Sequence, residues 1–534
     1  MTFVWGEIYR KNGEGFMLLR AVNRKNKSIN FVLPCPTGGL NARDSRDKMA
    51  LTDALVMDNY IPLNTQVSLR KGYRKYATLS CEVKTLVSYN APSGQSRLYA
   101  FGGGTVWDIT NAQTPQNCNK SFAVNTWQTC QFKNRLFAVN GIDKPQTFIP
   151  DETGGGEWKD AEFAGTNLNL TQLVNVGVSK QRLWFVEKGS LTVWYNAGVS
   201  EVQGELHSFD FSTIATKGGF LTAVGCWTRD GGQGSDDLTV FITSEGEVLV
   251  YAGSNPNSAD DWSLKGVYQM SRPVGYNCFV PYQGDLVVIC EDGYMPLSKA
   301  LALQNATNTQ VAFSDKIHDL VLKRIQTGKY KTGWQGLIYS RGGYALFNVP
   351  VAQQFEQHIV NTTTGAWCRF TDIRSYCWCL YQTRLYFGTD NGVMLFDEGY
   401  SDNGVAIMGA IEQAYCDFGS PYLKKAQLMN PRTKSSLPYA LTVYWNTDYQ
   451  TMTHQNNFKM GETNGIKWNT TGWSSLKSKT GSLWATLRGR IRSQWIGCNA
   501  TGFKFSLVFK TKTKGTLIDW YETGVRYEQG SGVL

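Results

Sequence analysis

Histidine, cysteine, paired carboxylates and glycine-rich loops are the features by which a chain of 534 residues would reveal catalytic chemistry. The histidines His207, His318, His358 and His454 lie far apart, with no HxH or HExxH spacing. Neither a metal site nor a histidine-based triad finds support in them. His358, within FEQHIV, reads as a strand residue with a hydrogen-bond partner. The cysteines are scattered singly, without a CxxC pair. Cys377 and Cys379 in SYCWCLY come nearest to a cluster. Two apart on a strand, they share one face, but no second pair completes a zinc set. Buried free thiols are the expectation.

Sugar cleavage needs two carboxylates facing one cleft. Asp390, Asp397 and Glu398, around GTDNGVMLFDEG, qualify only by proximity. Asp390, Asn391 and Gly392 are better explained as a hairpin turn, and the repeated sialidase turn with Asp, Gly and Trp is missing. The glycines of RLYAFGGGTVWDIT, 97–110, raise the question of a phosphate loop. Such a loop runs from a strand through glycines into a helix whose amino terminus faces the anion. Here TVWDIT follows, which is another strand, so the glycines turn a hairpin. The residues therefore predict no catalytic, cofactor-binding or metal site, and a protein that is not an enzyme.

The elements around these residues repeat. RLFAVNGIDKPQTF begins at Arg135, RLWFVEKGSLTVWY at Arg182, LTVFITSEGEVLVY at Leu238 and DLVVICEDGYMPLS at Asp285. GLIYSRGGYALFNV follows from Gly336 and RLYFGTDNGVMLFD from Arg384. Each is an apolar strand, a short turn holding Gly, and a second apolar strand; most follow a shorter strand and a polar turn. Counted from Arg97, the intervals are 38, 47, 56, 47, 51 and 48 residues. Short strands at a period of about 40–50 residues are the mark of a β-propeller. Sheets buried on both faces explain the near-continuous apolar runs. The fold class is thus all-β, a β-propeller of about six to eight blades, without WD-repeat or kelch signatures. High Gly and low Pro (54 and 15), with many Thr, Asn, Tyr and Trp, agree with short strands and tight turns.

Three domains are expected. Residues 1–80 form an N-terminal arm with strands that pack on the propeller, and a short helix is possible near 50–57. Residues 81–404 form the propeller with inserted loops, and 405–534 a C-terminal β-sandwich-like module. In the last, ALTVYWNT, KFSLVFKT and GTLIDWYETGVRYE alternate as a sheet with one solvated face does. No apolar run approaches about 18 residues, and the amino terminus lacks a signal-peptide pattern, so folding in a cytosol is expected. The net charge of +10 is dispersed, densest at 20–27, 70–75 and 504–514. Each of these stretches reads as either a DNA contact or a solvated strand or turn.

GGLNARDSRDKMALTDALVMDNYIP, followed by LRKGYRKYA, resembles the N-terminal signature of the tail nozzle family of short-tailed bacteriophages. This family is also called tail tubular or packaged-DNA stabilisation protein. The residues that carry the likeness are Gly39, Leu40 and Asn41, then Asp53, Ala54, Asp58 and Asn59, then Arg70, Gly72 and Tyr73. The central stretch GDLVVICEDGYMPLS is similar to the family's as well, through Asp292, Gly293, Pro296 and Ser298. So are NTTTGAWCRF, with Gly365 and Trp367, and FGSPYLKKAQLMNP. The likeness covers roughly 35–430; a basic extension before residue 31 and longer connections near 150–175 and 195–235 depart from it.

The resemblance implies a structural virion protein with no cofactor, assembled in the host cytoplasm and resident in the tail. Copies would form a ring, a hexamer, below the portal and head–tail adaptor. They would contact tail fibres or spikes, close the channel, and pass genomic DNA through the lumen, without stable membrane insertion. The alternative is a propeller-type glycan-binding or glycan-cleaving tail protein. Tyr444, Trp445, Trp468, Trp473, Trp484 and Trp495 are the aromatic residues that would make such contacts, unless they are core.

Overall fold

A computed structural model describes residues 10–11, 14–15, 28–92, 94–151, 155–230, 235–258, 260–302, 312–352, 354–451, 456–460 and 490–530. The described chain is all-β apart from two α-helices, α1 (Leu297–Ala302) and α2 (His318–Gly328), and short 3-10 turns.

The hairpin units fold as successive antiparallel meanders. The first sheet joins Val83–Asn90, Ser96–Gly102, Thr105–Asp108 and Gln116–Asn117. The second runs from Gln128–Phe132 to Gly156–Asp160, the third from Leu173–Ser179 to Gly204–Asp210, the fourth from Leu221–Asp230 to Ser263–Gln269. The fifth has three strands, Phe279–Tyr282, Asp285–Cys290 and Gly293–Pro296. The sixth meander runs from Gln335–Tyr339 to Trp367–Phe370. The seventh sheet holds Cys377–Tyr381, Arg384–Thr389 and Gly392–Phe396, and its fourth strand is Tyr73–Thr78 from far upstream.

The GGG segment turns a hairpin. Gly102 pairs with Thr105 across a two-residue turn, and Gly103 and Gly104 both take positive φ, +65° and +76°. That geometry suits the twist of the flanking strands and is costly for any residue with a Cβ. Asp390 and Asn391 likewise form the turn between Thr389 and Gly392.

Apolar side chains fill the spaces between consecutive sheets. Phe101, Trp127 and Trp158 pack between the first and second, Phe137, Phe185 and Trp194 between the second and third. Trp184, Phe241 and Trp262 follow, then Trp227, Val240 and Val288. Leu86 and Ala100 of the first sheet pack against Cys377 and Tyr386 of the seventh. Middle strands such as Leu98–Phe101 are buried on both faces, which is why they carry no polar alternation.

A second body is built from 28–69 and 407–529. Trp367–Phe370 continues the sixth meander into Gly39–Leu40 and Asp53–Asp58, then Ile407–Gln413, Phe505–Thr513, Tyr439–Thr447 and Asn456–Met460. These complete one ten-stranded sheet. Facing it lies a sheet centred on Lys424–Ser435 and Ile518–Gln529. Trp520 stacks on Phe509 at 4.5 Å between ring centres, which packs the two sheets face to face, and Phe418, from the turn after Ile407–Gln413, stacks on Phe505 at 4.8 Å. The helix anticipated near 50–57 is instead the strand Asp53–Asp58. Pairing with Gly39–Leu40 on one side and Ile407–Gln413 on the other, with Ala54 and Met57 fully buried, outweighs local helix propensity.

Candidate functional site

The motif residues of the N-terminal segment converge on one junction, where the sixth meander meets the second body. Gly39 has φ +81°, and a Cβ there would lie 2.5 Å from the Trp367 carbonyl oxygen. Only glycine lets the strands at Gly39 and Trp367 come together in parallel. Leu40 is core. Asn41 is fully buried and donates to Asp53 at 2.8 Å and to Asp44 at 2.9 Å. The Lys316 ammonium, one turn before α2, donates to Asp53 at 2.7 Å and to the Gly38 carbonyl at 2.8 Å.

Asp58 stands opposite Arg369, which donates to it at 2.8 and 2.9 Å. The next residue, Asn59, adopts φ +61°, fully buried. Its side chain donates to the Met408 carbonyl and accepts from Arg70 and from the Thr371 backbone. Arg70 in turn makes a two-pronged pair with Asp402 at 2.8 and 2.6 Å. At Gly72 a Cβ would lie 2.0 Å from the Ser401 carbonyl oxygen.

The central motif feeds the same junction from the fifth sheet. Asp292 accepts from Ser271, Gly293 (φ +118°) sits against Ser314, Pro296 pairs with Val287, and Ser298 donates to Asp285. Together these hold Tyr294 in place, with its ring stacked 4.0 Å from Phe347 and 6.0 Å from Trp367. Gly365 (φ +69°) turns the chain just before Trp367.

Behind this junction runs a buried polar chain. The Tyr294 hydroxyl donates to His358 Nδ1 at 2.8 Å, and His358 Nε2 donates to Glu356 at 3.0 Å. Glu356 also accepts from Arg324 of α2 at 2.6 and 3.0 Å and from Arg369 at 3.4 Å. Burial lowers the His358 pKa more than Glu356 raises it, which favours the neutral imidazole, with the proton on Nε2 towards Glu356 and Nδ1 accepting from Tyr294. Burial alone would raise the Glu356 carboxyl; the His358 hydrogen bond and the two guanidinium groups overcome it and hold the pKa at about 2. One register row crosses the sheet through His358, Arg369, Asp58, Ala410, Lys510 and Thr442, so the junction and the far side of the sheet share a face.

A cavity of about 440 Å³ opens where the first strands of several sheets begin, lined by Gln128, Thr222, Tyr276, Asn277, Tyr330 and Trp334 among others. A smaller one of 190 Å³ shares part of this lining and adds Lys84, Tyr376 and Cys377. Arg272–Glu245 (2.7 Å) and Lys329–Glu291 (2.8 Å) line the larger cavity as ion pairs.

The other candidates fall elsewhere. Asp390 is held by Tyr376 and Arg374, Asp397 by Tyr339 and Lys71, Glu398 by Arg384. Among the described residues, no three His, Cys, Asp or Glu side chains are grouped as metal ligands. His207 lies at the third sheet beside Asn257, and His318 opens α2. Cys377 is buried and Cys379 half-buried; both are free, and burial pushes the Cys379 thiol up to about 11. Tyr444 and Trp445 are buried, whereas Trp495 is 51% exposed. Residues 20–27, His454, Trp468, Trp473 and Trp484 lie outside the described residues. Arg369, inside NTTTGAWCRF, was within reach of sequence reading. Asp402 and Lys316 carried no local signal, because their partners Arg70 and Asp53 are distant in the chain.

No family model matches this chain, and no curated protein does. Among solved structures, Saccharomyces cerevisiae Sqt1 is similar over 64% of this chain and 98% of its own, at 10% identity and TM-score 0.36. An exo-β-1,3-galactanase of Phanerochaete chrysosporium is similar over 75% of this chain and 95% of its own, at 9% identity and TM-score 0.27. Likeness at this level supports no argument about activity.

Proposed function

We propose that the chain is a structural nozzle subunit of a short phage tail, and that its seven successive sheets are the blades of a propeller. The observation that carries this reading is the convergence of the motif residues on one buried junction. Gly39, Asn41, Asp53, Asp58, Asn59, Arg70 and Gly72 all serve strand contacts, buried hydrogen bonds or ion pairs there. A motif set that fastens two bodies together suits a particle component that must resist pressure and transmit load. In this reading copies form a closed ring, a hexamer, beneath the adaptor. The ring contacts fibres or spikes and conducts DNA through its lumen at the virion tail. No step of chemistry is assigned to the chain.

The test is electron microscopy of the virion and of the purified protein bound to its adaptor. A closed ring around a channel wide enough for duplex DNA after genome release is the expected image. Subunits without a common axis, or projecting as peripheral spikes, would refute the conduit role.

The 440 Å³ cavity favours one second reading, a glycan-binding propeller. Its lining sets amide and hydroxyl groups beside Tyr276 and Tyr330, a combination that recognises sugars. Calorimetric titration with host surface polysaccharide separates the two: saturable binding, lost on Tyr330→Ala, would support the glycan reading.

A further inference from the structure

The strand Ser28–Pro34 lies at a border of the sheet centred on Lys424–Ser435 and Ile518–Gln529. It pairs with Ile518–Gln529 on one side, in unbroken register from Ser28 opposite Glu528 to Pro34 opposite Glu522. Cys35 continues that ladder and donates to the Tyr521 carbonyl. Alternate residues of an antiparallel ladder bond in the same direction, so Ile29, Phe31 and Leu33 bond inward as Cys35 does. The N–H and C=O groups of Ser28, Asn30 and Val32 therefore point away from the sheet. Among the described residues, no other strand pairs with this border. The Pro34 carbonyl is taken by Gln413.

Charged side chains, proline or a bulge ordinarily blunt a sheet border. Ser28–Leu33 has no charge, no proline and no break in register. Two features beside it suit an added strand. Val32 is 53% exposed, and its row continues through Gly524, over which the exposed Trp495 ring lies. A Cβ at Gly524 would stand 3.7 Å from that ring, so the two residues and the glycine form an apolar shelf. Farther along the same face, Arg526 stands opposite Asn30 and donates through Nε to the Ser28 hydroxyl at 3.0 Å. Its guanidinium thus lies over the border strand. Among the described residues, no carboxylate forms an ion pair with it.

Free N–H and C=O groups alternating at strand pitch specify an extended polypeptide; neither a sugar nor a nucleic acid offers that alternation. We propose that Ser28–Pro34 docks an extended segment of a partner protein, which joins the sheet as a further strand. The segment presents an acidic side chain to Arg526. About two to four residues away, on the same face, it presents an apolar one to Val32 and Trp495. Backbone bonds supply the attraction and these two contacts the selectivity. The border and its arginine are independent of the nozzle reading.

The experiment is fluorescence anisotropy of the full chain against a labelled peptide of alternating threonine and valine, with aspartate in place of one valine. Saturable binding is expected. Lysine in place of the aspartate should weaken it about fivefold, the upper range for an exposed ion pair, and Arg526→Gln should erase that difference. Asn30→Pro removes one outward N–H and leaves the inward ladder intact, so it should weaken binding about tenfold at an unchanged melting temperature. Equal binding by Asn30→Pro, equal binding of the two peptides by wild type, or no saturable binding at millimolar peptide would overturn the proposal. Sedimentation without peptide tests the other occupant. A dimer that Asn30→Pro dissociates would overturn the proposal in favour of a second copy at this border.

Discussion

Arg70 and Asp402 are 332 residues apart in the chain and meet as a two-pronged ion pair with almost no exposure to water. Arg70 sits just before the strand that completes the seventh sheet, and Asp402 just after that sheet's last strand. The pair therefore locks both ends of the meander region together. A buried pair of this kind stabilises little relative to a well-packed apolar substitute, but losing one partner strands a charge. Asp402→Ala or Arg70→Ala should cost about 3–5 kcal/mol in urea unfolding. A cost under about 1 kcal/mol, the range of exposed pairs, would show that solvent reaches the site.

Two glycines of the junction should respond differently from a third. At Gly72 an added Cβ meets a backbone oxygen at 2.0 Å, and at Gly39 it meets one at 2.5 Å with φ at +81°. Backbone cannot step aside as a side chain can, so Gly72→Ala and Gly39→Ala should abolish soluble expression or lower the melting point steeply. Gly365 has φ +69° but open space around it, so Gly365→Ala should cost only about 1–2 kcal/mol. Equal losses at all three positions would refute the contact argument.

Acid should loosen the molecule in two stages. His358 has a pKa below its ordinary 6.5, because burial disfavours its charge more than Glu356 favours it. Below that value the unfolded chain takes up a proton that the folded chain refuses, so stability falls as pH drops through and below 6.5. Glu356 is held at about 2 against an ordinary 4.5, so its contribution is present above 4.5 and is lost as pH falls towards 2. Both effects have the same sign. His358→Gln should remove the first stage and shrink the second, leaving the part that Arg324 and Arg369 supply, read from denaturant midpoints across the pH range. A midpoint rising between pH 7 and 5 would contradict the assignment of a neutral buried imidazole.

Thiol reactivity offers an independent check of packing. Cys278, Cys290, Cys368 and Cys416 are free and buried, and burial pushes the thiols of Cys278 and Cys416 up to about 12. Mass spectrometry after iodoacetamide treatment at neutral pH should show these four unmodified in the native chain and alkylated after denaturation. Rapid native labelling of Cys278 would mean that the fourth and fifth sheets do not pack as described.

The hairpin units were legible because each is local. Strand, glycine turn and strand lie within about a dozen residues, and double-sided burial leaves an unbroken apolar run. RLYFGTDNGVMLFD pairs Thr389 with Gly392, as its turn residues dictate. The strand Asp53–Asp58 was not legible, since its partners are Gly39–Leu40 and Ile407–Gln413 and its own composition is neutral between helix and strand. The motif residues could be picked out individually, but what they do depended on Arg369, Asp402 and Lys316. No pattern within a window of sequence links residues 300 positions apart. The lysines of 504–514 were visible as a dense basic stretch; that Lys510 and Lys512 face solvent from an interior strand required the sheet.

The strand Tyr73–Thr78 is made early in translation and finds its partner, Gly392–Phe396, only after some 300 further residues have left the ribosome. Until then its hydrogen-bonding edge and the buried side of Ala77 have no place to go. Long-range pairing of this kind is slow and leaves the nascent chain open to association with its neighbours. Many copies of one chain produced together in a cell would meet that hazard at its worst. Yield should therefore depend on synthesis rate and temperature more than on the stability of the finished molecule, with slow, cool expression giving the most correctly folded protein.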